Sequence, residues 1–590
     1  MILGDLKRPA IFRYNAGGGK AGLKVKARRA LFYLAGSALY VLAFGAFYRK
    51  YVPLIPGFQA AFLPVGLLVA GLTAWKPALG GAAFLGAFPL VNNWPYFFGV
   101  QQDTPHAPTS LVLALFLFLG LFLRGALGAA ASGRGPEREG EIPGSAVDFP
   151  LRFAAAVVAV SAVVAYWKWT HFYPLRADGI YELTANVNGV TTGGARMSTI
   201  FSALSYLAGF ALFAFFVALF QERKARRKAA VVLAGSLLAA AFFGLVQAAF
   251  DPSLGNTGFW VALKQINATF KDPNAFGGAV SGLVPFFAGA AIASAGPPRR
   301  LCLAAVALAI LVFPFIGVRS AVLGLGAAAL AGLFFAVLDR RGARREDEAG
   351  GGDGGTTGRR RKRRPVLAAA GLIGLLAAAA AFGVLSDSRL HERMKSALGG
   401  GAAGGGVVGL SPERYFLWRE AVRMMGGYPL TGVGVGSYIV ELPNYYERDK
   451  TSYPAGFEGW RRIDSAENYF LQAGAEMGLP GLAAVLGVFW AVGWEAARGL
   501  RRRTGLGRDR FFLYGAAAGL VSLGVNMLFH SYLASFETQF VFWILAAFVA
   551  AVAGGGDGVR GPGRKEGRPF GARAARLGLA LALILYAGWS

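Results

Sequence analysis

Glu467-Asn-Tyr-Phe-Leu-Gln-Ala-Gly-Ala-Glu-Met-Gly-Leu-Pro-Gly481 carries two carboxylates and two amides straight into the apolar run Pro480 to Ala497. Polar groups at the mouth of a membrane span are seldom neutral choices. At helical spacing, Glu467, Leu471 and Gly474 stack on one face, and Asn468, Gln472 and Glu476 on the adjacent one. The competing reading needs no chemistry: these groups cap and solvate the helix entrance. The stretch closes a soluble-looking insert, Ser411 to Gly481, of roughly seventy residues between apolar segments.

Outside that insert the chain reads as membrane helix. Over 590 residues, 55% are hydrophobic and the mean hydropathy is +0.47, which excludes a soluble core as the main architecture. Apolar runs at Ala30 to Phe47, Leu54 to Trp75, Ala78 to Phe98, Thr109 to Leu127, Leu151 to Trp169, Thr199 to Phe220 and Ala229 to Phe250 predict seven spans before residue 251. Further runs lie at Ala275 to Ala295, Leu301 to Ile316, Ala321 to Leu338, Pro365 to Leu385, Pro480 to Ala497, Phe511 to Phe529 and Phe536 to Ala553. Each is near the length needed to cross about 30 Å of hydrocarbon, so the expected fold is all-α and polytopic with about fourteen transmembrane helices and a large helical periplasmic loop.

The net charge of +28 does not indicate nucleic acid, because Lys and Arg sit in short clusters between apolar runs rather than on one face. Arg223 to Lys228, Arg299-Arg300, Arg340 to Arg364, Arg498 to Arg510, Arg560 to Arg576 and the basic N-terminal tail fall on alternate loops. They agree on a cytoplasmic side, which puts the insert on the opposite, outer side together with Asp251 to Asn274, the turn at Arg319 and His530 to Ser535. The first residues are too long and too basic for the start of a cleaved signal. Gly17-Gly-Gly-Lys20 lacks the spacing of a phosphate loop. The organisation expected is a basic tail (1–29), N-terminal spans (30–250), central spans (251–386), the periplasmic loop domain (387–479), C-terminal spans (480–553), and a basic tail with a short apolar end, Leu577 to Trp589 (554–590). Arg344 to Arg364 and Gly399 to Gly409 read as linkers. The single cysteine, Cys302, leaves no intrachain disulfide and no cysteine-based metal site.

Candidate residues for chemistry gather on the outer side. Ser411-Pro-Glu-Arg is a helix start, and that helix should run to about Met425 with Arg414, Trp418 and Ala421 along one face. Its bland alternative is an amphipathic helix lying on the bilayer surface. Gly432-Val-Gly-Val-Gly436 reads as a tight turn rather than a nucleotide fingerprint, having no flanking strand. Arg319 stands between two spans with almost no loop, where a guanidinium must snorkel or meet an anion, and phosphate matches its planar fork. Asn274 reads as a helix cap or a ligand at the next mouth, and His530 opens another outer turn. Tyr445, Tyr446 and Trp460 are aromatic groups able to stack on sugar rings or to anchor packing.

Together, Asp272-Pro-Asn, Gly317-Val-Arg-Ser, Arg414 with Trp418, Tyr428-Pro-Leu-Thr-Gly-Val-Gly, Asn468-Tyr-Phe-Leu-Gln and Glu476-Met-Gly-Leu-Pro-Gly resemble the O-antigen ligase and polymerase family of bacterial envelopes, over roughly Thr257 to Gly487. That resemblance implies a multispan glycosyltransferase of the inner membrane. It would move a glycan from an undecaprenyl-pyrophosphate carrier to a hydroxyl acceptor (lipid A core, another repeat unit or a protein), with no metal or cofactor. It makes Arg319 and Arg414 the groups that hold the pyrophosphate, with Asn274, Trp418, Asn468, Gln472, Glu476 and His530 as substrate-binding candidates. Ligases of the family usually carry a histidine before the asparagine matched by Asn468; here that position is Glu467. A carboxylate is a weaker base, with an ordinary pKa of about 4.3 against about 6.5. Either Glu467 is the base, or His530 supplies the imidazole, or the site no longer catalyses, with Glu476 as a reserve carboxylate. A lipid-linked glycan transporter and a non-catalytic assembly subunit are the rival functions. The one-sided polar residues and the lack of an evident internal repeat favour an enzyme.

Overall fold

The computed structural model describes residues 20–100, 106–132, 145–171, 192–349, 412–446, 465–501, 503–531 and 536–554, which are helical with no strand among them. In order they are α1 (Lys20–Tyr51), α2 (Pro56–Trp75), α3 (Pro77–Ala87), α4 (Trp94–Phe97), α5 (Thr109–Ser132), α6 (Asp148–His171), α7 (Thr192–Leu219), α8 (Arg223–Ala249) and α9 (Gly258–Ala262). Then come α10 (Pro273–Ala293), α11 (Pro297–Ile316), α12 (Arg319–Ala349), α13 (Pro412–Gly427), α14 (Tyr438–Tyr446), α15 (Tyr469–Arg501), a 3-10 segment (Arg503–Asp509), α16 (Arg510–Met527) and α17 (Phe536–Gly554). Proline in the first turn starts α2, α3, α10 and α11, where its missing N–H is not needed.

Among the described residues ten helices are long and apolar enough to cross a membrane: α2, α5, α6, α7, α8, α10, α11, α12, α15 and α17. They bear out a multispan helical protein, and the expected count of about fourteen includes Pro365 to Leu385, which is outside the described residues. The expected span Ala78 to Phe98 is broken: α3 ends at Ala87, and Pro89 and Pro95 follow without an N–H to offer. Its freed backbone is taken up by the segment before α10. Thr269 Oγ1 donates to the Pro89 carbonyl at 2.6 Å, and Asn93 Nδ2 donates to the Ala268 carbonyl at 2.7 Å. α1 and α16 stand where Ala30 to Phe47 and Phe511 to Phe529 were read as spans. The run Pro365 to Leu385, the linker Gly399 to Gly409, Ser411, Trp460 and the C-terminal tail lie outside the described residues. α12 is helical to Ala349, through the start of the linker expected from Arg344.

α17 is buried along its whole apolar window, and α7 and α10 over 83% of theirs, whereas α6 and α12 are buried over only 28%. A helix apolar on all sides belongs at the centre of a bundle, and these are its axis. Glycines let α10 and α16 touch backbone to backbone: a Cβ on Gly289 would stand 2.3 Å from the Phe511 carbonyl, and one on Gly519 the same distance from the Gly282 carbonyl.

Those contacts also fix direction. α16 runs antiparallel to α10, with Gly289 against Phe511 and Asn526 Nδ2 donating to Ser281 Oγ at 3.3 Å. It runs antiparallel to α12 as well, from the Arg510–Asp339 pair at 3.1 Å to Gly324 against Ser522. The starts of α10 and α12 therefore share one end of the bundle with Leu528–Ser531. At the other end Asp509 pairs with Arg226 at 2.7 Å and Arg223 at 3.0 Å, and Glu495 with Arg498 at 3.3 Å.

Candidate active site

The site is built from the corner that leads into α15. Asn468 caps this helix: its Oδ1 accepts from the N–H groups of Phe470 and Leu471 at 3.0 Å each. Its Nδ2 donates to the Leu528 carbonyl at 3.0 Å, tying the corner to the turn after α16. Glu467 precedes the helix rather than lying on its face, as the spacing suggested, and takes a φ of +49°. That conformation is strained for a residue with a Cβ, at roughly 1 to 3 kcal/mol. Local hydrogen bonds hold it: Ser465 Oγ donates to Glu467 Oε1 at 3.2 Å and accepts the Glu467 N–H at 3.3 Å, while Gln472 Oε1 accepts the Ala466 N–H at 2.6 Å.

This corner turns the Glu467 carboxylate toward two cations or potential cations. His530 Nδ1 lies 2.8 Å from Oε2, and the Arg414 guanidinium 3.8 Å from the same oxygen. Burial pushes the Glu467 carboxyl up, but His530, Arg414 and the Ser465 hydroxyl outweigh it and hold it below the usual carboxylate range. Arg414 sits over the ring of Phe529, 6.0 Å from its centroid, and Trp418 meets the same ring at 6.4 Å. The Trp418 indole N–H is buried without a hydrogen-bond partner among the described residues.

The helix bearing Arg414 and Trp418 does not lie loose on a surface. α13 buries Phe416, Leu417, Ala421 and Met424 in a second small core with Val433, Tyr438, Leu442, Ala466 and Ala475. Tyr438 Oη closes it by donating to the Leu417 carbonyl at 3.0 Å. Burial, together with Glu420, Glu467 and Glu476, pushes the Tyr438 hydroxyl well above its ordinary pKa.

Gly432–Gly436 is a structural stitch, as its lack of a flanking strand suggested. Gly432, Gly434 and Gly436 have φ of +64°, +111° and +72°. The N–H groups of Val433 and Gly434 donate to the carbonyls of Ala475 and Glu476 at 2.9 Å, and Val435 N–H donates to Ser161 Oγ at 2.9 Å. The loop meets α15 where that helix kinks at Gly478, φ +66°, and Leu479 N–H donates to the Pro429 carbonyl at 2.7 Å. Glu476 belongs to this stitch: 1% exposed, it accepts from Gln472 Nε2 at 2.7 Å and faces the Tyr438 N–H at 3.4 Å. Its setting is that of a buried brace under α14. On the far side, Trp169 Nε1 donates to Ser437 Oγ at 3.1 Å and Lys168 pairs with Glu441, so α6 holds the insert from below.

Of the residues singled out from sequence, the structure thus brings together Glu467, Arg414, His530, Trp418 and Asn468, with Gln472 behind them. Arg319, itself exposed, opens α12 at the same end of the bundle, after the left-handed Gly317. Asn274 is not the cap of α10. Asp272 is: its Oδ1 accepts the Ala275 N–H at 2.8 Å, with Pro273 between them. Ser465 and Phe529 escaped the sequence reading. A serine two residues before an acidic one is a recurrent local hydrogen-bonding pattern and could have flagged the first; nothing in the pattern flags Phe529.

Residues 304–486 match the family model described as O-antigen ligase. Over that stretch the chain is similar to the O-antigen ligase family. The match runs from α11 into α15, so it takes in Arg319, Arg414, Trp418, Glu467, Asn468, Gln472 and Glu476 and stops short of His530. No curated protein matches the chain. That similarity and the ten long apolar helices indicate an integral membrane protein.

Proposed function

We propose that the protein transfers a glycan from an undecaprenyl-pyrophosphate carrier to a hydroxyl acceptor at the periplasmic face of the inner membrane, as an O-antigen ligase or polysaccharide polymerase does. The observation that carries this reading is the 2.8 Å contact between His530 Nδ1 and Glu467 Oε2, with Arg414 on the same carboxylate. The position where the family usually has histidine holds a carboxylate, and an imidazole stands against it from the turn after α16.

In this arrangement Glu467 accepts the Nδ1–H of His530 and fixes the tautomer, so Nε2 is the ring atom that takes a proton from the acceptor hydroxyl. The acceptor oxygen bonds to the anomeric carbon as the bond from that carbon to the diphosphate oxygen breaks, with inversion. The electron pair leaves with the diphosphate. Arg414, and Arg319 from the start of α12, stabilise that leaving charge by charge-assisted hydrogen bonds. Glu467 is better suited to orienting than to proton abstraction, because its neighbours hold its carboxyl below the ordinary range. Trp418 and Phe529 offer an aromatic platform beside Arg414 for a sugar ring.

The test is transfer from a radiolabelled undecaprenyl-pyrophosphate glycan in membranes carrying wild type, His530→Gln or Glu467→Gln, with lipid-linked polymer resolved from glycan on other acceptors. Loss of transfer with carrier binding retained in both variants supports the pair as the base and its orienter, and the product names the acceptor. Full activity of His530→Gln would overturn it.

A further inference from the structure

Arg414 and His530 compete for one oxygen. Both approach Glu467 Oε2, at 3.8 and 2.8 Å, while Oε1 is engaged by Ser465. Arg414 makes no hydrogen bond to any described residue; besides the long contact to Glu467 it has only the face of Phe529. Its side chain is 30% exposed and that of His530 is 8% exposed. A guanidinium with no close acceptor among the described residues, partly open to solvent and 3.8 Å from its carboxylate, is easily drawn to a better anion, and a phosphate offers bidentate bonds that this contact lacks.

We propose that Arg414 couples binding of the donor's diphosphate to the state of the Glu467–His530 pair, so that the base is fully engaged only when the donor is in place. The proposal rests on the functional reading above and concerns its regulation. In the free protein the positive charge of Arg414 draws on the electron density of Oε2 and weakens the hydrogen bond that His530 makes to it. A diphosphate that takes up Arg414 removes that competition, and Oε2 then serves His530 alone. The proton that His530 accepts from the acceptor is thereby better stabilised after the donor has bound. Of the other groups near Glu467, Ser465 is neutral and Tyr438 stays protonated at neutral pH, so neither supplies a competing charge. Coupling of this kind is reciprocal: whatever strengthens the Glu467–His530 bond also releases Arg414 toward an anion. The arrangement makes deprotonation of an acceptor unprofitable in an enzyme without donor.

The experiment uses the full chain in lipid nanodiscs with 15N-labelled histidine. The side-chain signal of His530 is assigned among the four histidines by its loss in His530→Gln, and inorganic pyrophosphate is the probe. Pyrophosphate, with binding measured separately by a radiolabelled assay, is expected to move the His530 Nδ1–H signal downfield and slow its exchange. Arg414→Ala should show the shifted signal without any ligand and no further change with pyrophosphate, whereas Arg414→Lys should resemble wild type. Pyrophosphate bound to wild type with the His530 signal unmoved, or an unshifted signal in a folded Arg414→Ala, overturns the coupling and leaves the functional reading standing. Absence of pyrophosphate binding to wild type overturns both the diphosphate role of Arg414 and the coupling.

Discussion

Glu467 is a residue whose chemistry is set by its company. Its carboxyl lies below the ordinary range in the folded protein, so the sign of its pH effect is fixed: its contribution to stability is present above the unfolded carboxylate pKa and is lost as pH falls through the folded one. Thermal unfolding of wild type and Glu467→Gln should therefore differ by a constant amount at neutral pH and converge below about pH 4. If the difference instead grows on acidification, the carboxyl is not held down by His530 and Arg414. On activity, removing a general base is expected to reduce transfer about 10²- to 10⁴-fold, so His530→Gln should fall in that range in initial-rate assays. Asn468→Ala should act differently. It removes the cap of α15, at about 0.5 to 2 kcal/mol, and also frees the Leu528 carbonyl, so both the unfolding temperature and the transfer rate should drop.

Among the elements, the glycine-rich loop before α14 matters most, since it sets the insert against the bundle. A Cβ at Gly432 would stand 2.3 Å from the Glu476 carbonyl carbon, and one at Gly436 2.4 Å from the Ser198 carbonyl oxygen, each at a positive φ. Neither neighbour is a flexible side chain that can move aside. Gly432→Ala and Gly436→Ala are each expected to destabilise the protein by more than about 1 kcal/mol, and to reduce transfer by displacing α13 and Arg414. Gly426, with nothing within 4 Å of its would-be Cβ, is the control, and Gly426→Ala should unfold like wild type. Equal melting of all three alanine variants would show that the loop is not what seats the insert. The same stitch explains why Glu476 is buried: its Oε1 accepts from Gln472 and faces the Tyr438 N–H.

For the molecule as a whole, the two ends of the bundle carry opposite tasks. Asp509, Arg226, Arg510 and Asp339 form ion pairs at one end, and Arg414, Glu467 and His530 meet at the other. The orientation proposed from positive-inside asymmetry puts the first end in the cytoplasm. Cys302 is 1% exposed, so a single added cysteine can report topology in its presence. Tyr428→Cys, at an exposed position beside the glycine-rich loop, should react with a membrane-impermeant thiol reagent applied to spheroplasts, and Lys224→Cys should react only after lysis. The reverse pattern would invert the proposed orientation and the compartment of the chemistry.

Sequence by itself determined what depends on local composition and spacing. Apolar runs near the thickness of a bilayer, prolines at helix starts and clustered arginines specify a multispan helical protein and its insert, because a bilayer leaves the backbone few alternatives. The same reading carried Ala78 to Phe98 as a continuous span, since hydropathy does not register that Pro89 and Asn93 are hydrogen-bonded to Thr269 and Ala268. It put Glu467 on a helical face, because periodicity cannot foresee a positive φ held by Ser465. Arg414, Glu467 and His530 are separated by 53 and 63 residues in the chain, and only tertiary structure decided that they share one carboxylate oxygen. That decision lies in how α13, the corner before α15 and the turn after α16 pack at one end of the bundle, through contacts between segments that no local pattern encodes.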